Sequence, residues 1–314
     1  MMELDPRAAR RVVVSPAMCG PTMLFAATAG DWTWQAVADR CGVDPYTAHD
    51  SSGAPSYLAF YYVRLRGGVT INPRCLTFGD ELTLVSGCYD VGARSVLTLH
   101  RLARAGGAVP DVDELDLDEF YVRPREDCLY VETFNQWVGR RRTHSNADLR
   151  RSSPVGFSPE RLPKIQNRHS PRWICRDARR LGTFRDVGSP DYVLVRDGVR
   201  AVHPVDVTRD LNGVGLVYFA SFFAIVDGAV WKLWQLLGRD ERDYLAGQIL
   251  DYQICYLGNA DPGSTLEAEI ALWRHRDRAA EEIVDVTLRE RGSGRLIAIT
   301  TQRLLRTPVP AYAS

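Results

Sequence analysis

Lysine is almost absent from this sequence of 314 residues, in which Lys164 and Lys232 stand against 37 arginines. A net charge of either sign is absent as well, because 39 basic residues balance 39 acidic ones. Binding to nucleic acid depends on a surplus of basic side chains that neutralise phosphates. The balance therefore argues against a nucleic-acid partner. The hydrophobic fraction of 45% is enough for a packed globular core.

Paired cysteines and metal-binding spacings are also missing. The seven cysteines are an odd number without a C-x-x-C pair, so neither a disulfide framework nor a zinc site is predicted. The histidines show no metal-ligand spacing, and neither a Walker loop nor a Rossmann fingerprint occurs. We therefore expect no metal and no bound cofactor. Residues 1–11 do not resemble a signal peptide, so we expect a cytoplasmic protein with reduced thiols.

Only one long hydrophobic run occurs, at residues 213–231. It is nearly long enough to span a bilayer, but it contains Ser221 and Asp227. An aspartate near the centre of a membrane span costs about 3 kcal/mol. A helix that is apolar on all sides can instead lie buried inside a soluble protein. We therefore predict a buried helix and no membrane contact.

The segments around this helix repeat segments near the N-terminus. Residues 15–34 align with residues 208–227, so that Gly20 matches Gly213. A short strand is predicted before each helix and four strands after it, several of them with the apolar–polar alternation of a β-strand. The strands are predicted at residues 11–15, 56–68, 78–90, 94–103 and 128–138, and again at 191–199, 250–260, 264–276, 281–291 and 295–305.

Consecutive strands joined by short turns form antiparallel hairpins, and a curved antiparallel sheet can cover an apolar helix. The sequence therefore predicts an α+β protein with a double hot-dog fold, in which two antiparallel sheets each wrap around a long apolar helix. We place the N-terminal hot dog at residues 1–145, a connecting segment at 146–185 and the C-terminal hot dog at 186–314. Because hot-dog sites commonly form where protomers meet, we expect a homodimer.

The junction DVTRDLNGVG, at residues 206–215, lies just before the second predicted helix. Asp210 or Asn212 is predicted to cap the helix, where free N–H groups and the helix dipole suit a thioester oxygen or an enolate. A plain helix cap with glycine in a turn is the commoner structure for such a pattern. The candidate substrate-orienting residues are Asp210, Asn212, Gly213, Gly215 and Tyr218.

Three tyrosines lie on one predicted strand of the first copy. Strict alternation puts Leu58, Phe60 and Tyr62 on one face, with Tyr57 and Tyr61 on the other. An aromatic strand usually serves core or interface packing. A free tyrosine is also a poor nucleophile, since only about 0.1% of it is ionised at neutral pH.

Three motifs follow one another along the chain: SYLAFYYVRL (56–65), SNADLRRSSPVGF (145–157) and DLNGVGLVYFASF (210–222). Together they resemble the double hot-dog bifunctional acyltransferase/decarboxylases of polyketide biosynthesis, the family of the leinamycin-pathway methylmalonyl-CoA enzyme. The resemblance implies that Tyr62 is the acylated catalytic residue. It also implies that methylmalonyl-CoA is the substrate, and that the phosphopantetheinyl thiol of an acyl carrier protein accepts the acyl group.

This chemistry would need no separate base. Loss of CO₂ from a methylmalonyl thioester leaves an enolate, which can take the proton of Tyr62. The resulting tyrosinate can then attack the propionyl thioester. Two alternatives stay open: a hot-dog acyl-CoA thioesterase, which the Asp-x-x-Gly pattern starting at Asp210 resembles, and a non-catalytic module that binds acyl thioesters.

The connecting region is strongly basic. Residues 140–185 contain twelve arginines and one lysine against three acidic residues, a net charge of +10. They could form a solvated face that is balanced by an acidic loop at residues 108–119. Equally, five arginines could contact CoA phosphates or the carrier protein: Arg140, Arg141, Arg142, Arg150 and Arg151.

Overall fold

The computed structural model describes residues 9–92, 94–106, 115–140 and 145–306. Each half contains the predicted strand, helix and four further strands, so the double hot-dog fold is confirmed. The first half comprises β1 (Arg10–Val13), α1 (Thr22–Cys41), β2 (Tyr57–Arg66), β3 (Glu81–Asp90), β4 (Ser95–Arg104), α2 (Leu117–Tyr121) and β5 (Cys128–Arg140). It is followed by β6 (Leu149–Arg151) and α3 (Pro171–Leu181). The second half comprises β7 (Tyr192–Pro204), α4 (Ser221–Leu236), α5 (Glu241–Ala246), β8 (Gln248–Tyr256), β9 (Thr265–His275), β10 (Glu281–Glu290) and β11 (Leu296–Leu305).

The two predicted sheets are halves of one continuous antiparallel sheet. Its strand order is β1-β3-β4-β5-β2-β8-β11-β10-β9-β7, with β6 attached to β5. The halves meet where residues 62–66 of β2 pair with residues 251–255 of β8. We call these paired residues the β2–β8 seam. The seam holds the two hot dogs edge to edge through main-chain hydrogen bonds.

Helices α1 and α4 pack against each other on one side of the sheet, called here the helix face. Helix α4 is buried along most of its surface, which explains why its sequence is apolar on all sides. Gly30 of α1 has a steric role, because a Cβ there would overlap the ring of Phe219. That ring stacks on Phe60 of β2, with the two ring centroids 3.8 Å apart. None of the described helices is long and apolar enough to cross a membrane.

Helix α4 begins later than the alignment of the two copies predicts. It starts at Ser221 with Ala220 in the N-cap position, so the prediction that Asp210 or Asn212 caps it is wrong. The side chain of Asn212 instead accepts hydrogen bonds from the backbone N–H groups two and four residues ahead, at 3.1 and 3.0 Å. Such local side-chain bonds favour a turn over a helix. The start of the apolar run is therefore loop.

A β-bulge at Tyr61 changes the face on which Tyr62 lies. Phe60 pairs with Asn135 of β5, whereas Tyr62 pairs with Phe134, so Tyr61 has no partner of its own on β5. One extra residue reverses the alternation of the side chains that follow it. The prediction that Phe60 and Tyr62 share a face is therefore wrong. Phe60 packs on the helix face, and Tyr62 lies on the opposite side of the sheet, called here the outer face.

Helices α2 and α3 cover part of the outer face. Phe120 of α2 and Cys175 of α3 belong to the same buried cluster as Tyr62. Residues 108–114 of the predicted acidic loop lie outside the described part of the chain.

Across the seam, the guanidinium of Arg64 donates to both carboxylate oxygens of Asp251, at 2.9 and 2.6 Å.

We predict that Asp251→Asn lowers the free energy of unfolding by about 3 kcal/mol, because the largely buried Arg64 loses its counter-charge. Urea denaturation followed by circular dichroism measures this change. As a control, Arg123→Gln removes an exposed ion pair with Asp118 and should change the same quantity by less than about 0.5 kcal/mol. Equal effects of the two substitutions would show that the Arg64–Asp251 pair does not stabilise the seam.

Candidate active site

A cleft of about 720 Å³ opens beside the β2–β8 seam. Strand β8 ends at Tyr256, so residues 57–61 of β2 have no β8 partner and the two strands diverge. The cleft lies in this gap, between residues 57–61, part of α1 and the loop of residues 212–219 that leads into α4. Both halves of the chain therefore contribute to it.

The chemistry of the cleft wall is unusual for a catalytic site. Apolar side chains such as Trp34, Phe60 and Phe222 form much of it. Its polar side chains are four amides, five tyrosines and three charged groups, the last being Asp31, Arg151 and Arg295. Among the described residues, no serine, threonine, cysteine, histidine, glutamate or lysine lines the cleft. The wall thus lacks the usual nucleophile–imidazole pair of acyl transfer.

Three of the five predicted substrate-orienting residues line the cleft: Asn212, Gly213 and Tyr218. Gly215 does not line it, but its backbone φ of 73° is in the left-handed region that favours glycine, and this conformation shapes the loop. No side chain of the described residues lies within 4 Å of the place where a Cβ at Gly213 would be. A ligand can therefore approach the backbone closely at that position.

Two amides fix this loop against the rest of the molecule. The buried side chain of Asn146 donates to the carbonyl oxygens of Gly215 and Ala260, at 2.8 and 2.9 Å. Asn259 pairs with both the N–H and the carbonyl of Val217, at 3.0 and 2.9 Å. Asn146 belongs to the motif at residues 145–157, but the sequence does not indicate its role or that of Asn259, because their partners are distant along the chain. They position the backbone that carries the predicted residues.

Asp210 does not line the cleft. Its side chain is buried and accepts hydrogen bonds from His203 Nε2 at 2.6 Å and from the N–H of Asp206 at 2.8 Å. Burial acts to raise the pKa of Asp210, but these hydrogen bonds and the neighbouring His203 outweigh it and lower the pKa. The hydrogen bonds of Asp210 therefore stabilise the start of the loop, and its carboxylate does not face the cavity.

The carboxyl group that does line the cleft belongs to Asp31 of α1, which the sequence analysis did not single out. Burial raises the pKa of Asp31. Its charge acts on Tyr218, whose pKa is raised to about 12, first by burial and then by the charge of Asp31. Tyr218 therefore stays a neutral phenol that can donate a hydrogen bond. Asp31 is the one charged residue in residues 22–38 of α1, and this was the available sequence signal.

Tyr61 and Tyr62 have different environments although they are adjacent. Tyr61 lines the cleft, and its ring meets the edge of Phe134 with the centroids 5.7 Å apart. Tyr62 does not line the cleft and is fully buried, and its hydroxyl donates to Gln253 Oε1 at 2.8 Å. Burial, followed by the charge of Glu132, raises the pKa of Tyr62 well above its ordinary value. The hydroxyl of Tyr62 is thus enclosed within the buried cluster of the outer face, and Tyr62 does not line the cleft.

Glu132 of β5 lies in the buried surroundings of Tyr62. It accepts a hydrogen bond from the hydroxyl of Tyr121 at 2.8 Å, while its second oxygen has no partner among the described residues. Burial raises the pKa of Glu132 to about 7, although the charge of Arg64 and the bond from Tyr121 act to lower it. The nearby carboxylate of Asp251 raises it further.

The five predicted arginine contacts are not brought together at one site. Arg141 and Arg142 lie outside the described residues. The guanidinium of Arg140 donates to the carbonyl of Val214 at 2.6 Å and to Asn146 at 2.9 Å, so it braces the loop. Arg150 is exposed and lies 3.6 Å from Asp148. Arg151 is the one described member of the five that lines the cleft.

The raised pKa of Glu132 predicts a loss of stability with rising pH. In the unfolded chain this group ionises near pH 4.5, whereas in the folded protein it keeps its proton up to about pH 7. The folded state therefore binds the extra proton, and its stability falls by about 3 kcal/mol between those two values. The glutamine of Glu132→Gln cannot titrate. Between pH 4.5 and about pH 7, the free energy of unfolding of this variant should therefore rise by this amount relative to that of the parent protein. A difference that stays constant with pH would contradict the assignment.

The family model of the LnmK N-terminal hot dog fold domain matches residues 9–186 of this chain. Comparison with curated protein sequences found no match. Among solved structures, an acyl-ACP thioesterase from Bacteroides thetaiotaomicron is 9% identical, with a TM-score of 0.56 over 94% of this chain and 96% of the other. The 12:0-ACP thioesterase from Umbellularia californica is 11% identical, with a TM-score of 0.55 over 95% of this chain and 94% of the other.

At such low identities the likeness to the two thioesterases shows a common fold and nothing further. The family match is of a different kind, because it rests on the sequence and covers more than half of the chain. It also includes the bulged strand β2 and the connecting segment through α3. The protein therefore belongs to the family defined by the LnmK N-terminal hot dog fold domain.

Proposed function

We propose that the cleft binds an acyl thioester, and that the protein decarboxylates methylmalonyl-CoA and transfers the propionyl group to the phosphopantetheinyl thiol of an acyl carrier protein. The family membership supports thioester chemistry, as does the occurrence of the same fold in thioesterases named for carrier-protein substrates. The motifs shared with the acyltransferase/decarboxylases support the choice of reaction.

The composition of the cleft wall is the observation that carries the proposal. Decarboxylation needs no base to begin, because the bond to the departing CO₂ supplies the electron pair of the enolate. An apolar wall disfavours the charged carboxylate and so favours its loss, while amides and phenols can donate hydrogen bonds to the enolate oxygen. The described wall offers the side-chain amides of Gln136 and Asn212 and the phenol of Tyr218 for this purpose, while the amide of Asn146 already donates to main-chain carbonyls. The same wall lacks histidine, cysteine and serine.

The enolate then needs a proton, and a phenol is a stronger acid than the α-carbon of a thioester. The resemblance implies that Tyr62 receives the acyl group, and we propose that Tyr62 also supplies this proton. Its tyrosinate attacks the propionyl carbonyl, CoA leaves as the thiolate, and the carrier thiol later cleaves the ester. The hydroxyl of Tyr62 donates a hydrogen bond to Gln253, next to the bulge at Tyr61. Acylation of Tyr62 therefore requires that this hydrogen bond break.

Hydrolysis of an acyl thioester is the second candidate, and one observation favours it. Asp31 is a carboxyl group that lines the cleft, so it could activate a water molecule there. The alternative that relies on Asp210 has no such support, because Asp210 does not line the cavity. The homodimer stays a prediction: within one chain the two halves already form the cleft together.

We predict that methylmalonyl-CoA incubated with the protein releases CO₂ and leaves one propionyl group on the chain, detected by intact-protein mass spectrometry. Adding a holo acyl carrier protein should then move the group to its thiol. Absence of both CO₂ and adduct would reject the decarboxylase. The matched variants Tyr62→Phe and Tyr61→Phe identify the residue that accepts the propionyl group. An adduct that persists in Tyr62→Phe and disappears in Tyr61→Phe would show that Tyr61, and not Tyr62, is the acceptor.

Asp31→Asn separates the two candidate reactions. A decarboxylase that uses no carboxylate base should keep its rate of CO₂ release within about tenfold, whereas a hydrolase would lose about 10²–10⁴-fold of its activity with its base. The assay compares free acid, CO₂ and CoA released from propionyl-CoA and methylmalonyl-CoA. Asp210→Asn is the comparison variant. Loss of activity in Asp210→Asn at unchanged thermal stability would contradict the structural role given to that residue.

A further inference from the structure

Helix α3 presents an exposed basic face that the proposed reaction does not use. Its buried side, which includes Cys175 and Ala178, packs on the outer face of the sheet. The opposite side exposes Trp173, Arg176 and Arg180. The guanidinium of Arg176 lies 4.5 Å from the centre of the Trp173 ring, and 46% of that tryptophan is open to solvent. Tryptophan and arginine are the residues most enriched at the centres of protein interfaces.

The positive charge of this region is not neutralised locally. Residues 145–186 contain ten basic and four acidic side chains. Arg176 and Arg180 share a single carboxylate, that of Asp177, at 3.6 and 3.9 Å, and both guanidinium groups are exposed. Within the part of the chain that the structure describes, neither Arg151 nor Arg179 is within ion-pair distance of a carboxylate. An acidic partner would therefore meet two arginines without an ion pair and two that share one carboxylate.

The basic surface reaches the mouth of the cleft. Arg151 lines the cleft itself. Arg172, in the first turn of α3, is held by the hydroxyl of Ser95 at 2.8 Å, and its guanidinium lies 5.6 Å from the centre of the Phe134 ring. The same ring contacts Tyr61 of the cleft wall. The rings of Phe134 and Tyr61 thus connect the first turn of the helix to the cavity wall.

We propose that the exposed face of α3, together with Arg151, is the docking surface for an acidic carrier protein that receives the acyl group in the cleft. This inference rests on the proposed function. A protein partner fits better than free CoA, because the charge extends along a whole helix away from the cavity and has a tryptophan at its centre. Complementary charge at such a surface speeds encounter and sets register. The neutral total charge of the chain disfavours a general polyanion such as DNA.

Binding can be measured apart from catalysis. The probe is a fluorescently labelled holo acyl carrier protein with an acidic surface, titrated with the full-length protein and followed by anisotropy. Arg176→Glu/Arg180→Glu should weaken binding about tenfold or more, and the neutral pair Arg176→Gln/Arg180→Gln should weaken it less. Arg242→Glu is the control, because it changes an exposed arginine on α5. Helix α5 follows the C-terminal end of α4, whereas the loop that lines the cleft precedes the N-terminal end. This substitution should leave binding unchanged. Rising salt should weaken binding of the parent protein more than binding of the double variants.

The reaction provides the second readout. Release of CO₂ from methylmalonyl-CoA without carrier protein should be the same in the double variants as in the parent, while transfer to the carrier thiol should fall. Failure of the parent to decarboxylate would reject the proposed function and leave the binding measurement valid. Equal carrier affinity in the parent and in Arg176→Glu/Arg180→Glu would overturn the docking surface. Arginine-dependent binding of duplex DNA without carrier binding would overturn it as well.

Discussion

The short antiparallel pairing of β2 with β8 is the constraint on which the rest of the structure depends. In the part of the chain that the structure describes, the ladder pairs only residues 62–66 with residues 251–255, yet it joins two hot dogs into one sheet. Because β8 stops at Tyr256 while β2 extends back to Tyr57, the strands part on one side of the seam. The cleft occupies that gap. A longer seam would give a more continuous sheet with no room for a ligand, so the length of the pairing sets the place of the site.

The same seam ties the proposed acyl acceptor to the stability of the fold. Tyr62 and Arg64 lie on its outer face, where they donate to Gln253 and Asp251 of the other half. Buried polar groups are stable only when they are hydrogen-bonded, so these cross-seam bonds hold the two halves in register. A tyrosine that left Gln253 to react would break one of them. In the proposed reaction, acylation of Tyr62 would therefore be coupled to loosening of the seam.

Much of the fold could be predicted from the sequence because strand alternation and hydrophobic helices are local signals. The strands of both halves lie close to their predicted positions. The face of Tyr62 could not be predicted, since a bulge adds one residue without any change in composition. The start of α4 was misplaced because residues 213–220 are an apolar loop, in which Leu216, Val217 and Ala220 are buried. Asp31 and Asn146 depend on contacts between distant segments, which periodicity does not contain.

The two copies also differ in a way that explains why the cleft forms before α4. In the first half, the segment ahead of α1 is apolar, and Met18 and Cys19 are 3% and 8% exposed within the core. In the second half, the equivalent segment carries Asn212 and Gly213, which line the cleft. Glycine is common to both loops, because Gly213 matches Gly20. The loops differ in the side chain before that glycine, which is the buried Cys19 in the first half and the cleft-lining Asn212 in the second. A buried apolar side chain fills its own space, whereas the polar Asn212 stays at a surface that a ligand can reach.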